Sequence, residues 1–180
     1  MGMLVQNIEK CTFDQVHLLQ KLAIKTYQET FAESNSDDLL QQYYKKSLNI
    51  AKLSAQLENT NSEFYFIYSA TRAEPEAKLA GFLKLNIDDA QTDLLDPDAL
   101  EVEKIYILKG FLSQGLGKQM ISFAINRAQQ NNKKYLWLGV WENNFSALNF
   151  YKKMGFEQFG EHGFDMAGDI QTDLLLRKDL

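Results

Sequence analysis

The stretch Leu100–Met120, LEVEKIYILKGFLSQGLGKQM, decides the fold. It reads as a buried strand over Leu100–Leu108, a short connection, and a turn with glycines at Gly115 and Gly117 that opens an amphipathic helix. A helix N-terminus carries unpaired N–H groups and the positive end of the helix dipole, which suits a phosphate or pyrophosphate. Glycine at such a place lets the backbone approach the anion closely. A plain strand-to-helix turn has the same residues, so two readings stay open for the motif by itself. A Walker loop would need glycine at 112 and Ser or Thr at 119, where the chain has Leu112 and Gln119. A dinucleotide fingerprint would need glycine or alanine at 120, where it has Met120.

The bulk properties narrow the classes further. A chain of 180 residues fits one domain, here spanning residues 1–180. Its 45% hydrophobic content supplies an ordinary core, and no apolar run reaches the ~20 residues a membrane helix needs. The N-terminus has no signal-peptide core, and Gln6 stands where a myristoylation signal wants Ser or Thr. The single cysteine, Cys11, fits a reducing cytoplasm, and no Cys/His cluster has metal-ligand spacing, so no metal is expected. Neither His17 nor His162 is placed by a recognisable motif. Net charge −5 and pI near 5.1 disfavour nucleic acid as the partner and leave room for a cationic substrate.

Outward from the glycine turn the chain is organised as short strands and amphipathic helices. A strand near Leu4–Ile8 precedes two helices, one through Val16, Leu19, Ala23, Tyr27 and Phe31, the other from Leu39 to Leu57; they read as a helical hairpin. Runs over Phe64–Ala70 and Leu79–Asn86, with Pro75 between them, read as a β-hairpin. An acidic connector from Asp88 to Asp98 leads into the strand of the opening motif. A helix over Gly115–Asn131 follows, with Leu116, Met120, Ala124 and Ala128 on one stripe. After it come a strand over Tyr135–Trp141, a helix over Ser146–Met154, and closing strands near Phe156–Phe159 and Thr172–Arg177. The class is α/β or α+β: a mixed central sheet with helices packed against it.

A second motif lies at Trp141-Glu142-Asn143-Asn144 and Ala147–Phe156. Taken alone, Tyr151 belongs to a helical stripe with Ala147, Phe150 and Met154, which is how a core aromatic also looks. Together, the glycine turn and Asn144…Ala147…Tyr151…Gly155-Phe156 resemble the acetyl-coenzyme-A-dependent N-acetyltransferase (GNAT) superfamily over essentially the whole chain. GFLKLN at 81–86, DAQTD at 89–93, EKIYI at 103–107, GLGK at 115–118, WLGVWENN at 137–144, NFYKKMGF at 149–156 and QTDL at 171–174 resemble the bacterial PaiA-type spermidine/spermine acetyltransferases.

That resemblance implies a GNAT fold, with helices on both sheet faces, and acetyl-CoA as co-substrate. The backbone of Ile105, Tyr106 and Ile107 would pair with the pantetheine arm. Leu112, Ser113, Gln114, Gly115, Leu116, Gly117 and Lys118 would wrap the pyrophosphate. Asn144 would contact the cofactor arm, Tyr151 would sit near the thioester sulfur, and Lys153 would reach the nucleotide end. The family pattern has Gln or Arg at its first position, where this chain has Leu112, so backbone donors are expected to carry the contact.

Acetyl transfer to an amine needs the free base, and a carboxylate can take the ammonium proton. Glu101 and Glu103 share a strand face by the two-residue period, and Glu103 is favoured because it directly precedes the cofactor-pairing segment. Tyr151 would donate to the departing thiolate. The acceptor expected is a polyamine such as spermidine or spermine, drawn by the acidic connector through Asp88 and Asp89, with Glu29 and Glu33 adding to the site. Another amine acceptor, such as a protein N-terminus, a lysine or an aminoglycoside, stays open, as do a non-catalytic acetyl-CoA-binding regulator and a homodimer.

Overall fold

The computed structural model describes residues 6–70, 75–166 and 168–180. Strand β1 (Gln6–Lys10) leads into helices α1 (Val16–Phe31), α2 (Asp37–Ser47) and α3 (Ile50–Glu58). Then follow β2 (Ser62–Ser69), β3 (Lys78–Ile87), β4 (Ala99–Ile107), α4 (Leu116–Gln130), β5 (Tyr135–Trp141) and α5 (Phe145–Lys153). Strands β6 (Glu157–Met166) and β7 (Asp169–Asp179) close the chain. The seven strands form one sheet in the order β1-β2-β3-β4-β5-β7-β6. Only β4 and β5 run parallel, as a crossover through α4 requires.

Alternation along the strands sends side chains to two separate cores. Tyr65, Ile67, Leu83 and Leu85 face α4 and α5, whereas Phe64, Phe66 and Phe82 face α1, α2 and α3. Each of these buried aromatics contributes about 1.5–3 kcal/mol of hydrophobic burial. The alternation changes phase in β4. Lys84 pairs with Lys104 but Leu85 pairs with Val102, so Glu103 is an extra residue, a β-bulge. Leu100 and Val102 therefore lie on the same core as Ile105 and Ile107, while Tyr106 turns to the other.

Several boundaries differ from the sequence reading. The N-terminal helical hairpin is three helices, because Asn49 ends one and caps the next: its side chain accepts from the Lys52 N–H at 2.9 Å. The closing strands form a hairpin far longer than the short runs expected from sequence. The first strand begins at Gln6, and Leu4 and Val5 lie outside the described residues, as does most of the turn before Pro75.

At Gly81 the backbones of β3 and β4 leave no room for a side chain. This glycine pairs with Ile107, and a Cβ there would fall 2.2 Å from the Tyr106 carbonyl oxygen. Gly81→Ala is expected to cost about 2–4 kcal/mol in urea unfolding, the range of a substitution that must move backbone. A loss below about 0.5 kcal/mol would mean that β4 can shift freely.

Candidate active site

Strands β4 and β5 pair at only three positions, Ala99↔Tyr135 to Glu101↔Trp137, and then diverge. Their separated halves open a cleft of ≈ 1040 Å³, lined by the backbone-bearing segment Ile105–Ile107 on one side and Leu138–Trp141 on the other. A strand edge left without a partner presents N–H and C=O groups to whatever enters. The start of α4 closes one end of the cleft. Ser113 and Gly115 both have positive φ, 62° and 79°, and so turn the chain sharply into the helix. Gly115 is the N-cap and supplies no side-chain acceptor, and the first turn holds no acidic residue. The N–H groups of Leu116, Gly117 and Lys118 thus precede the first intrahelical bond, from Gln119 to the Gly115 carbonyl at 3.2 Å.

The other residues expected around the cofactor divide. Leu112, Ser113, Gly115, Leu116, Gly117 and Lys118 line the cleft, as does Asn144. Asn144 caps α5 by accepting from the Ala147 N–H at 3.2 Å, which leaves its amide nitrogen without a partner among the described residues. Gln114 turns aside: its side-chain oxygen accepts from the Ser69 hydroxyl at 3.0 Å, and it does not line the cleft. Lys153 is exposed and also lies off the cleft. Gly117 has a packing duty, since a Cβ there would come 3.1 Å from the Phe150 ring.

Tyr151 lies on the cleft wall between the rings of Phe150 and Phe156, at centroid distances of 5.2 and 5.6 Å. Burial pushes its hydroxyl pKa up, so the proton stays on at neutral pH. The hydroxyl has no hydrogen-bond partner among the described residues, which leaves it free to donate into the cleft.

The two β4 carboxylates have different environments although both face the cleft and both accept from Asn86 Nδ2, at 2.9 Å for Glu101 and 2.7 Å for Glu103. Burial works to raise the Glu103 carboxyl, but Lys104 at 3.4 Å and the closer Lys84 overcome it and hold the group at about 2. The two lysines and Asn86 occupy this carboxylate and lower its proton affinity, which weighs against the expected preference for Glu103 as proton acceptor. Glu101 is raised, first by burial and then by the Glu103 charge. It accepts from both the backbone N–H (2.9 Å) and the hydroxyl of Thr92, which ties the connector to the strand.

Facing these groups is a wall that the sequence reading did not assemble. Tyr27 stacks on Tyr43 at 4.3 Å, and Tyr106 and Trp141 continue the aromatic lining beside Phe31. Asp173 of β7, opposite Trp141, shares the cleft with His162 of β6 and Asp93 of the connector. Burial raises the Asp173 carboxyl, and the basic side chain beside it is the His162 imidazole, with Nε2 at 3.8 Å. Gly139 exposes that carboxylate, because a Cβ would stand 3.4 Å from Oδ2. Of the acidic residues expected to bind substrate, Glu29 lines the cleft and accepts the Lys109 N–H at 2.7 Å. Glu33 is 91% exposed and lies off the cleft beside Lys109. Asp88 and Asp89 are also off it, at the end where β4 begins, bound to Lys133 (2.6 Å) and Asn61 (2.7 Å). The connector reaches the cleft through Thr92 and Asp93 instead.

The Glu103 ion pairs make a stability prediction. Its pKa is depressed from 4.5 to about 2, so its contribution is complete above pH 4.5 and drains away as pH falls through about 2. Glu103→Gln leaves two buried ammonium groups without their carboxylate and is expected to cost about 3–5 kcal/mol at pH 7. It should also flatten the acid limb of the urea-stability profile. A variant as stable as the parent with the same acid limb would show the cluster to be unimportant.

Comparison with known proteins places this geometry. The model of the acetyltransferase (GNAT) family matches residues 17–156. An uncharacterized N-acetyltransferase of the pepI 3′ region of Lactobacillus delbrueckii subsp. lactis is 41% identical over 156 residues, 87% of each chain. The spermine/spermidine N(1)-acetyltransferase of Bacillus subtilis is 31% identical over 65 residues, 36% of this chain and 43% of that protein. In fold, the chain is similar over its whole length to the PaiA N-acetyltransferase of Thermoplasma acidophilum in complex with coenzyme A, with a TM-score of 0.73 at 17% identity. The chain belongs to the acetyltransferase (GNAT) family and is an N-acetyltransferase that takes its acetyl group from acetyl-CoA.

Proposed function

We propose that the acceptor is a primary amine on a polycation of the spermidine or spermine type, acetylated by direct attack within a ternary complex. The observation that carries this reading is Asp173: a half-buried carboxylate, open to the cleft beside Gly139, with no lysine or arginine ion pair among the described residues and an imidazole nitrogen at 3.8 Å. An ammonium group satisfies such a carboxylate by charge and by hydrogen bond. Glu29 and Asp93 extend the negative lining, and the faces of Tyr27, Tyr43, Tyr106 and Trp141 suit both a cation and the methylene stem between two cations. The likeness to the Bacillus subtilis enzyme, though it covers only part of each protein, points the same way.

In this reading the unpaired edge of Ile105–Ile107 takes the pantetheine arm as a further strand, and the N–H groups at the start of α4 take the pyrophosphate. Leu112, 52% exposed, adds no charge there, so the backbone and Lys118 carry the contact. The β4 N–H groups hold the carbonyl oxygen as negative charge develops on it. The amide nitrogen of Asn144 donates to the cofactor arm, and Tyr151 gives its proton to the departing sulfur. Glu101 and Glu103 keep the bulged strand in shape, Glu103 through Lys84 and Lys104 and Glu101 through Thr92.

Tyr151→Phe removes one oxygen and should leave acetyl-CoA affinity within about twofold while kcat falls at least about tenfold, the low side of proton-transfer effects. An unchanged kcat would return Tyr151 to a packing role.

Asp173→Asn should raise KM for spermine about tenfold and KM for a monoamine much less, because fewer charges are attracted in the second case. Added salt should act in the same direction on the parent enzyme. Monoamines or neutral amines that match spermidine in kcat/KM, without salt sensitivity, would sink the polyamine reading and leave acetyl transfer intact. Acetyl-CoA binding with no turnover of any amine would favour a non-catalytic regulator.

A further inference from the structure

Neither β4 carboxylate is well placed to receive the ammonium proton: Glu103 is held at about 2, and Glu101 is occupied by Thr92 and Asn86. The cleft offers another acceptor. His162 Nδ1 lies 2.6 Å from Asp93 Oδ2, and its Nε2 faces Asp173 Oδ2 at 3.8 Å. The first contact is a hydrogen bond, and an ionised Asp93 can only accept it, so the proton is on Nδ1; in the neutral imidazole the Nε2 lone pair then faces the cleft. The second distance is too long for a hydrogen bond and too short to hold a separate solvent layer. It fits one donor that touches both atoms, as the two N–H groups of a single ammonium would.

We propose that His162 is the proton acceptor of the reaction, with Asp173 holding the ammonium and Asp93 orienting the imidazole. This inference rests on the acceptor being a cationic amine. One N–H proton of the ammonium moves to Nε2, and the nitrogen lone pair forms the bond to the acetyl carbonyl carbon. As the carbon–sulfur bond breaks, sulfur takes the Tyr151 proton, and Tyr151 regains one from the nitrogen, which becomes the amide. The imidazolium then releases its proton to solvent. Asp93 acts as a positioning residue: its negative charge stabilises the imidazolium, as a carboxylate does for histidine bases elsewhere.

The charged and titratable groups around His162 come from several elements. Asp93 lies on the connector and Asp173 on β7, with Tyr27 and Tyr106 within electrostatic reach of Asp173. Thr92, next to Asp93, carries the Glu101 carboxylate, and Lys46 of α2 pairs with Asp165 further along β6 at 2.8 Å. Removing Asp93 therefore withdraws the one charge in direct contact with Nδ1.

The test compares pH profiles of kcat/KM for the parent, His162→Gln and Asp93→Asn, with whichever primary amine the parent turns over fastest. His162→Gln should lose about 100-fold or more in kcat near pH 7, with acetyl-CoA affinity unchanged. The deficit should shrink above pH 9.5, where free amine no longer needs a base. Asp93→Asn should move the acid limb to lower pH, since the imidazolium loses its partner, and a merely structural role would lower the rate equally at all pH values. Nitrogen-15 NMR of the imidazole in the parent, with spermine and desulfo-CoA bound, should show the Nδ1–H tautomer at pH 8. The inference is overturned if His162→Gln keeps the parental profile, or if the imidazole stays charged to pH 9. Should a neutral amine outrun every cationic one in the parent, the acceptor reading fails and this inference with it, whereas a parental profile for His162→Gln with a cationic amine overturns the base alone.

Discussion

The site depends on one irregularity in the sheet, the extra residue at Glu103 in β4, and on the two lysines that hold it. With strict alternation, Leu100, Val102, Lys104 and Tyr106 would share a face. The bulge moves Ile105 and Ile107 onto the α4 core and delivers Tyr106 to the aromatic wall with Tyr27 and Tyr43. It lies just beyond the last β4–β5 pair, so the strand changes phase where it loses its neighbour. Bulges increase local twist, which turns β4 away from β5 and opens the cleft. Lys84 and Lys104 neutralise the carboxylate at the bulge. Desolvating three charges makes this a poor source of net stability, but removal of any one leaves the others uncompensated. The cluster fixes a shape more than it lowers the energy of the fold.

The connector between β3 and β4 is fastened to that shape by side chains. Gln91 accepts from the Trp137 indole at 2.7 Å, Thr92 holds Glu101, and Asp93 reaches across to His162. Its acidic residues consequently do different things. Asp88, Asp96 and Asp98 bind Lys133, Tyr135 and Lys134 around the base of β5, whereas Asp93 alone of the connector's carboxylates stands in the cleft. A run of acidic residues gives a general potential, but its members have separate partners once the backbone is folded.

How far the sequence discloses this structure depends on whether the signal is local. Tyr135–Trp141 has the bounds expected from its apolar run, and the stripe from Leu116 to Ala128 faces the sheet as its spacing requires. The glycine turn, Asn144 and Tyr151 are legible because each lies in a short motif with its own geometry. The break between α2 and α3 is harder to see, since both helices keep one amphipathic spacing; only Asn49 marks it. The β6–β7 hairpin is masked by Gly160 and Gly163, which weaken a strand pattern. The bulge does leave a trace, the shift of apolar residues from even positions (100, 102) to odd ones (105, 107). The cluster of Asp93, His162 and Asp173 leaves none. His162 and Asp173 are cross-strand partners in the β6–β7 hairpin, and Asp93 reaches them from the connector, 69 residues before His162, which no local pattern announces.

The cleft has two ends of opposite character. At one end α4 begins without an acidic residue and without a side-chain cap, so its dipole and free N–H groups favour an anion. At the other, Asp173 and Asp93 favour a cation, while the lysines that could cancel them are engaged elsewhere: Lys84 and Lys104 with Glu103, and Lys46 with Asp165. In the proposed function, a cofactor pyrophosphate and an acceptor ammonium would be sorted to their own ends before either is recognised in detail, and would meet at the unpaired edge of β4, beside Tyr151. The parallel β4–β5 pair makes this possible, since one short register both joins the two halves of the sheet and leaves room between them for the reaction.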